Sequence, residues 1–364
     1  MKSSLPYSYF SSFFIDIKEM YVVNRDYDIF LVTGATGFLG SLLVSKLLFL
    51  EKKVRVLVLK GDPQEKNLSK NVEIVYGDVS KKDSLKEFFK GDLSNACLIH
   101  SAGIITIGSK ITSKLYNVNV SGTKNIINMA VKHNIKKIIY VSSVHAIKEE
   151  KRGQVIKETK IFKKSKVRGA YAKTKAEATH YVLEQAKKGL NVSVVHPSGI
   201  IGPHDFQLGN ITSTIIRFCN RILKYAVIGG YDFVDCRDVV DGIISCSYNG
   251  RPNETYILCN KRYMISDILN ILSRMGYGKE PKYLPLWFVK ILSPFFELSS
   301  ILKKRKLFLT PYSAYTLGAN SNFSHEKANR ELSYAVRPIE KTLYDLVIWL
   351  QNQKLIPRIE LKKI

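Results

Sequence analysis

The chain has 364 residues, 45% of them hydrophobic, so it exceeds one typical domain and can bury a sizeable core. Its 5 cysteines (Cys97, Cys219, Cys236, Cys246, Cys259) form no Cys-x-x-Cys pair and have no histidine at ligand spacing; no metal site or disulfide framework is expected, and a reducing cytoplasm fits. The net charge of +25 comes mostly from lysines scattered through every segment, and without a helix-turn-helix, zinc-finger or RNA-binding signature beside it, nucleic acid is not the expected partner.

Residues 1–28 mix Ser, Tyr and Phe with Asp16, Lys18 and Glu19 and lack the apolar core of a signal peptide, so they read as an N-terminal extension. The short β-branched run 29–33 predicts a buried strand that leads into Gly34-Ala35-Thr36-Gly37-Phe38-Leu39-Gly40 and then an apolar helix over 41–50. Strand, glycine turn and helix together let a pyrophosphate approach bare backbone at a helix N-terminus. Gly34, Thr36, Gly37, Phe38, Leu39 and Gly40 are therefore candidate dinucleotide contacts. The first gap is one residue longer than in the usual fingerprint, so the turn needs the later motifs to support it.

A second strand, 54–59, ends where such folds read the adenosine ribose. Lys60 follows it and Asp62 comes only after Gly61, so the immediate charge favours a 2′-phosphate, and NADP(H) over NAD(H). A third strand, 72–76, runs into Gly77-Asp78-Val79, which places Asp78 and Val79 near the adenine or makes Asp78 the cap of a helix starting near Lys82. The fourth strand, 97–100, ends in Ser101, Ala102 and Gly103, small enough for a cofactor to pass close by. Helical periodicity then runs over 113–133 and carries Asn119, either a bridge to the site or a structural bond.

The fifth strand, 138–143, is tipped by Ser142 and Ser143, and the helical segment 170–188 carries Tyr171 and Lys175 one turn apart on one face. An ammonium beside a phenol favours the phenolate and lowers its pKa from about 10, which makes the tyrosine a usable acid or base. The sixth strand, 191–196, enters an irregular turn over 197–203, with Pro197 and Ser198 at the same sheet edge. Beyond it come a small helix after residues 232–240, a strand at 255–259, and helices at 264–275 and 339–351. The apolar run 284–302 is broken by Pro285, Lys290, Pro294 and Glu297, so a face packed on the core or lining a pocket is expected, with peripheral membrane contact as the alternative to it.

In this order the motifs resemble the extended short-chain dehydrogenase/reductase superfamily of NAD(P)-dependent epimerases, dehydratases and reductases, over residues 29–352. The resemblance implies an α/β Rossmann fold: a doubly wound parallel sheet with helices on both faces and a smaller, interleaved C-terminal substrate lobe. Residues 29–203, with later strands from 228–260, would form the nucleotide-binding part, 204–353 mainly the substrate lobe, and 354–364 a basic tail. It further implies that Tyr171 is the acid/base, that Lys175 binds the nicotinamide ribose, that Ser143 (or its neighbour Ser142) hydrogen-bonds the reacting oxygen, and that the chain forms a homodimer. Tyr231-Asp232-Phe233 stands where sugar-nucleotide epimerases usually carry Arg-Asp-Phe, and residues 233–239 look like the dihydroflavonol-reductase-like branch. The expected activity is hydride transfer between nicotinamide and a small-molecule carbonyl/alcohol substrate. A sugar-nucleotide epimerase or dehydratase with retained NAD, and a cofactor-sensing protein without chemistry, are the alternatives. The basic segment 145–168 (Lys148, Lys151, Arg152, Lys157, Lys160, Lys163, Lys164, Lys166, Arg168) is expected to border the entrance and attract an anionic substrate, or to be a solvated loop.

Overall fold

A computed structural model describes residues 27–303 and 309–362, so the N-terminal extension, apart from Tyr27 and Asp28, lies outside the described residues. The strands in chain order are β1 (Ile29–Thr33), β2 (Val54–Val58), β3 (Glu73–Tyr76), β4 (Ala96–His100), β5 (Lys137–Val141), β6 (Val192–Pro197), β7 (Gly199–Ile201), β8 (Tyr225–Val227), β9 (Gly230–Asp235), β10 (Thr255–Leu258), β11 (Lys261–Met264) and β12 (Lys282–Leu284). The α-helices are α1 (Phe38–Phe49), α2 (Ser113–Tyr116), α3 (Thr123–Lys132), α4 (Ala170–Lys187), α5 (Asn210–Cys219), α6 (Cys236–Asn249), α7 (Ile265–Arg274), α8 (Leu286–Leu302), α9 (Pro311–Thr316), α10 (Glu326–Leu332) and α11 (Ile339–Asn352).

Seven strands form one parallel sheet in the order β10-β6-β5-β4-β1-β2-β3. A parallel sheet is covered on both faces, which explains why β1 and β5 read as unbroken apolar runs. Leu43 and Leu47 of α1 pack with Val240 and Ile243 of α6 on one side. On the other, Ile126 and Ile127 of α3 pack with Ala176 and Val182 of α4. A third core joins Phe218, Ile268, Leu272, Leu343 and Leu346 from α5, α7 and α11. The expected doubly wound sheet is therefore the observed one.

Several details differ from the sequence reading. Pro197–Pro203 was expected as an irregular turn, but contains β7, which pairs with β9; β9 also pairs with β11. β7, β8, β11 and β12 have 3 or 4 residues each, too few to show a period. The helix near Lys82 is a single 3₁₀ turn, Lys82–Leu85. Between α2 and α3 the helical segment widens into a π-helical stretch, Asn117–Gly122. Of the two inward placements expected of run 284–302, it is the pocket wall that is observed: in α8 only Val289 and Ser293 are buried, while Phe288, Val289, Leu292 and Phe296 line a cavity.

The C-terminal lobe is tied to the sheet by buried charge. Arg237 on α6 meets Asp235 at 2.6 Å and Asp345 of α11 at 2.7 Å, while Arg337 meets Asp238 at 3.1 Å. Burial alone would raise the Asp235 carboxyl, but the Arg237 guanidinium outweighs it and holds the group below the usual carboxylate range. Removing the arginine leaves two buried carboxylates short of their main partner. Arg237→Leu is expected to cost about 3–5 kcal/mol in urea unfolding, and a loss below about 1 kcal/mol would refute that assignment.

Candidate active site

The C-terminal ends of the central strands open into one cavity of about 2230 Å³. Strand order reverses about β1, whose neighbours are β2 and β4, and open α/β sheets bind ligands at such a crevice. Gly34 has φ +75°, and a Cβ there would lie 2.7 Å from the Ala102 nitrogen; at Gly40 it would lie 2.0 Å from the Gly34 carbonyl oxygen. Helix α1 begins after Gly37 with no side-chain cap, so no side chain competes for its leading N–H groups. This bare cradle fits the pyrophosphate of a dinucleotide.

Of the residues singled out for the cofactor, Gly34, Thr36, Gly37, Phe38, Leu39, Gly40, Asp78, Val79, Ser101, Ala102, Gly103, Pro197 and Ser198 all line the cavity. Lys60 is exposed and outside the lining, whereas Asp62 is part of it. Thr36 Oγ1 donates to Asp62 Oδ2 at 2.7 Å, which joins Asp62 to the glycine turn. The Asp78 carboxylate accepts from the Ser80 amide at 2.8 Å and hydroxyl at 2.7 Å, closing its own turn. The Ser198 hydroxyl donates to Asp232.

Ser143, Tyr171 and Lys175 line the same cavity and are all buried. Lys175 Nζ donates to the Val141 carbonyl at 2.8 Å and sits 5.0 Å from the Tyr140 ring centre. Burial lowers the Lys175 ammonium to about 7. Burial also pushes the Tyr171 phenol up to about 12, opposed by its hydrogen bond with Ser143. The lowering of the phenol anticipated from the Tyr-x-x-x-Lys spacing is thus not found in this arrangement, because desolvation disfavours charge on both groups. The two serines are also separated by their partners. Thr179 Oγ1 donates to the Lys175 carbonyl at 2.7 Å, so in the 2.7 Å contact with Ser142 it is Ser142 that donates. Ser143 Oγ accepts from the His145 amide at 3.3 Å. Asn119 makes a structural bond pair: it accepts from the Ile104 amide at 2.8 Å and donates to the Ile104 carbonyl at 3.0 Å.

The sequence reading passed over His145 as a site residue. Its ring stacks on Tyr231 with centres 5.4 Å apart and meets Tyr171 edge-on at 6.0 Å. Nε2 lies 3.1 Å from the Tyr231 hydroxyl and Nδ1 3.0 Å from that of Tyr312. Burial lowers the imidazole to about 4, so near neutral pH it carries one N–H; one tyrosine donates to the ring and the other accepts from it. Its place two residues after the serines was a usable signal, but Tyr312 arrives from the far lobe and no spacing announces it. From the basic segment 145–168 only His145 lines the cavity. Lys148, Lys157, Lys160 and Lys164 instead pair with Glu150, Glu326, Glu254 and Glu177. The outer wall carries Ile211, Leu223, Phe288, Val289, Leu292 and Phe296, with Arg217 and Lys224 also present.

The depressed Lys175 gives a stability signature. The unfolded lysine holds its proton up to about 10.4, while the folded one releases it near 7, so the group's contribution is full above the unfolded value and is lost as pH falls toward 7. Lys175→Met is expected to flatten the rise of the urea midpoint between about pH 7 and 9.5. Lys46 and Lys137, also lowered by burial, keep a residual slope. Equal slopes in variant and wild type would contradict the burial argument.

A family model described as the 3-beta hydroxysteroid dehydrogenase/isomerase family matches residues 31–270. A relative named "Putative dihydroflavonol 4-reductase" from Synechocystis sp. is 31% identical over 339 residues, covering 89% of this chain and 95% of that protein. "Sterol demethylase protein B" from Methylococcus capsulatus is 28% identical over 335 residues, covering 90% and 99%. Among solved structures, UDP-glucose 4-epimerase from Thermotoga maritima, in complex with UDP-glucose, shares the fold with a TM-score of 0.72 at 18% identity, covering 90% of this chain and 99% of that one. A glycine cradle, a serine-tipped strand and a Tyr/Lys helix on this sheet, under a family match of that extent, make the chain a member of the 3-beta hydroxysteroid dehydrogenase/isomerase family of extended short-chain dehydrogenases/reductases.

Proposed function

We propose that the protein reduces a carbonyl, or oxidises the corresponding alcohol, on a bulky and largely apolar substrate. The observation that carries this reading is the convergence of Ser143, Tyr171 and Lys175 in a cavity whose outer wall is built from α5 and α8 side chains such as Ile211, Phe288, Leu292 and Phe296. Ligand pockets are usually about 300–1,000 Å³. At about 2230 Å³ this cavity has room for a dinucleotide and a large second molecule. The sterol in the name of the Methylococcus relative supports the same substrate class.

A bound nicotinamide supplies or takes the hydride. Tyr171, whose phenol keeps its proton at neutral pH, gives that proton to the oxygen on which negative charge develops, and Ser143 hydrogen-bonds the same oxygen. Lys175 would hold a ribose hydroxyl of that cofactor. A protonated phenol at rest suits the reducing direction. For the cofactor, the placement of Asp62 supports NAD(H) over the NADP(H) that Lys60 suggested, because a carboxylate beside the turn repels a 2′-phosphate. A second reading, a sugar-nucleotide epimerase or dehydratase, is favoured by Arg217 and Lys224, whose charges suit a diphosphate.

Tyr171→Phe is expected to lower kcat by about 10²–10⁴-fold while NADH affinity, followed by fluorescence titration, stays within about threefold. Unchanged turnover would remove the tyrosine from the chemistry. Stoichiometric loss of NADH absorbance during turnover supports the reductase, whereas conversion with none supports the epimerase. Asp62→Ser is expected to move the ratio of NADH to NADPH affinity toward NADPH; an unmoved ratio means the ribose is read elsewhere.

A further inference from the structure

Helix α8 presents two apolar faces. Trp287, Ile291, Phe295, Leu298 and Leu302 follow one another at helical spacings of four, four, three and four, and form an outward stripe with side chains 65%, 59%, 69%, 57% and 74% exposed. On the opposite side Val289, Leu292 and Phe296 line the cavity. A surface helix normally turns polar residues to water, and a contiguous apolar stripe of this length marks a contact surface. The stripe is not isolated. Glu297 accepts hydrogen bonds from the Ser109 amide and hydroxyl, both at 2.9 Å, and so holds loop 104–112 beside the helix. That loop exposes Ile105 and Ile111, and Ile105 also lines the cavity.

The charge around the stripe is positive. Lys290 lies at its edge, Lys303 closes the helix, Lys110 stands in the loop, and the sequence continues from Lys303 into Lys304-Arg305-Lys306. We propose that the outward face of α8 and loop 104–112 dock on the surface of an anionic phospholipid bilayer, setting the mouth of the cavity against the lipid. A second copy of the chain would bring a like-charged rim to this one, whereas anionic headgroups complement it. Seventeen residues make a helix of about 26 Å, and no helix among the described residues is long and apolar enough to cross a membrane. The helix therefore lies in the interface, with Trp287 at headgroup depth and the lysines toward phosphate. A lipophilic substrate then passes from bilayer to active site between α8 and loop 104–112. This passage rests on the proposed reductase function, but the docking itself is measured without turnover.

The test is flotation of the full-length chain with vesicles of phosphatidylcholine alone or mixed with phosphatidylglycerol. Trp287 serves as an internal probe, since the other of the 2 tryptophans, Trp349, is buried. The protein is expected to float with the anionic vesicles, to be released by about 0.5 M salt, and to show Trp287 emission quenched when brominated phosphatidylcholine is included. The pair Ile291→Asp and Phe295→Asp should lower the bound fraction about tenfold while NADH binding, measured on the same preparation, stays unchanged. Failure to float with either vesicle overturns the proposal. So does a wild-type dimer in solution that the same two substitutions convert to monomer, because the face then pairs copies of the chain. Docking without any carbonyl reduction would instead overturn the function proposed above and leave the docking in place.

Discussion

The architecture depends on seven strands running in the same direction. A parallel sheet puts every strand's C-terminal end on one edge, and the crossovers bury both faces, so loops far apart in sequence meet at that edge and line one cavity. The closest approach is between the turn after β1 and the segment after β4. Ser101 donates to the Thr33 carbonyl through its hydroxyl at 2.7 Å, and the His100 ring bridges the Thr33 and Thr123 hydroxyls at 2.7 and 3.1 Å. With backbone packed against backbone at that distance, Gly34 has no room for a side chain, and at Gly37 the absence of a capping side chain leaves the leading N–H groups of α1 without a side-chain partner.

Around the Tyr171/Lys175 helix the dominant force is desolvation. Both groups are buried, which favours their neutral forms, and the surrounding hydrogen bonds fix their orientation. Val141 holds the lysine, Thr179 takes the Ser142 proton, and Ser143 is left as the serine beside the phenol. Thr174 accepts from Asn119 in the π-helical stretch, and Asn119 accepts from the Ile104 amide, so hydrogen bonds join α4 to the cavity loop after β4.

The C-terminal part of the chain uses two different devices to reach the site. Buried ion pairs from Arg237 and Arg337 hold α11 and the chain before it against α6, which keeps the third core seated on the sheet. At the cavity Tyr231 from β9 and Tyr312 from α9 clasp His145 and close the wall beside Tyr171. A family with varied substrates can keep the sheet edge constant while this wall changes.

How much of this was legible follows from where each determinant sits. The seven strands of the sheet, the glycine turn, Ser143, Tyr171 and Lys175 were readable because each depends on local periodicity or on spacing within one turn. The short strands β7, β8, β11 and β12 were not, because three or four residues show no period and are held by partners distant in the chain. Asp62 was set aside in favour of Lys60 because distance along the chain was the guide available, and the fold turns the nearer charge outward and the farther one toward Thr36. The sequence by itself thus determined the sheet, the glycine turn and the Tyr171/Lys175 pair on one helix face. Only the tertiary structure decided the phenol's high pKa, the pair of tyrosines on His145 and the double-faced α8, since burial and contacts between residues 86 and 167 positions apart have no local signature.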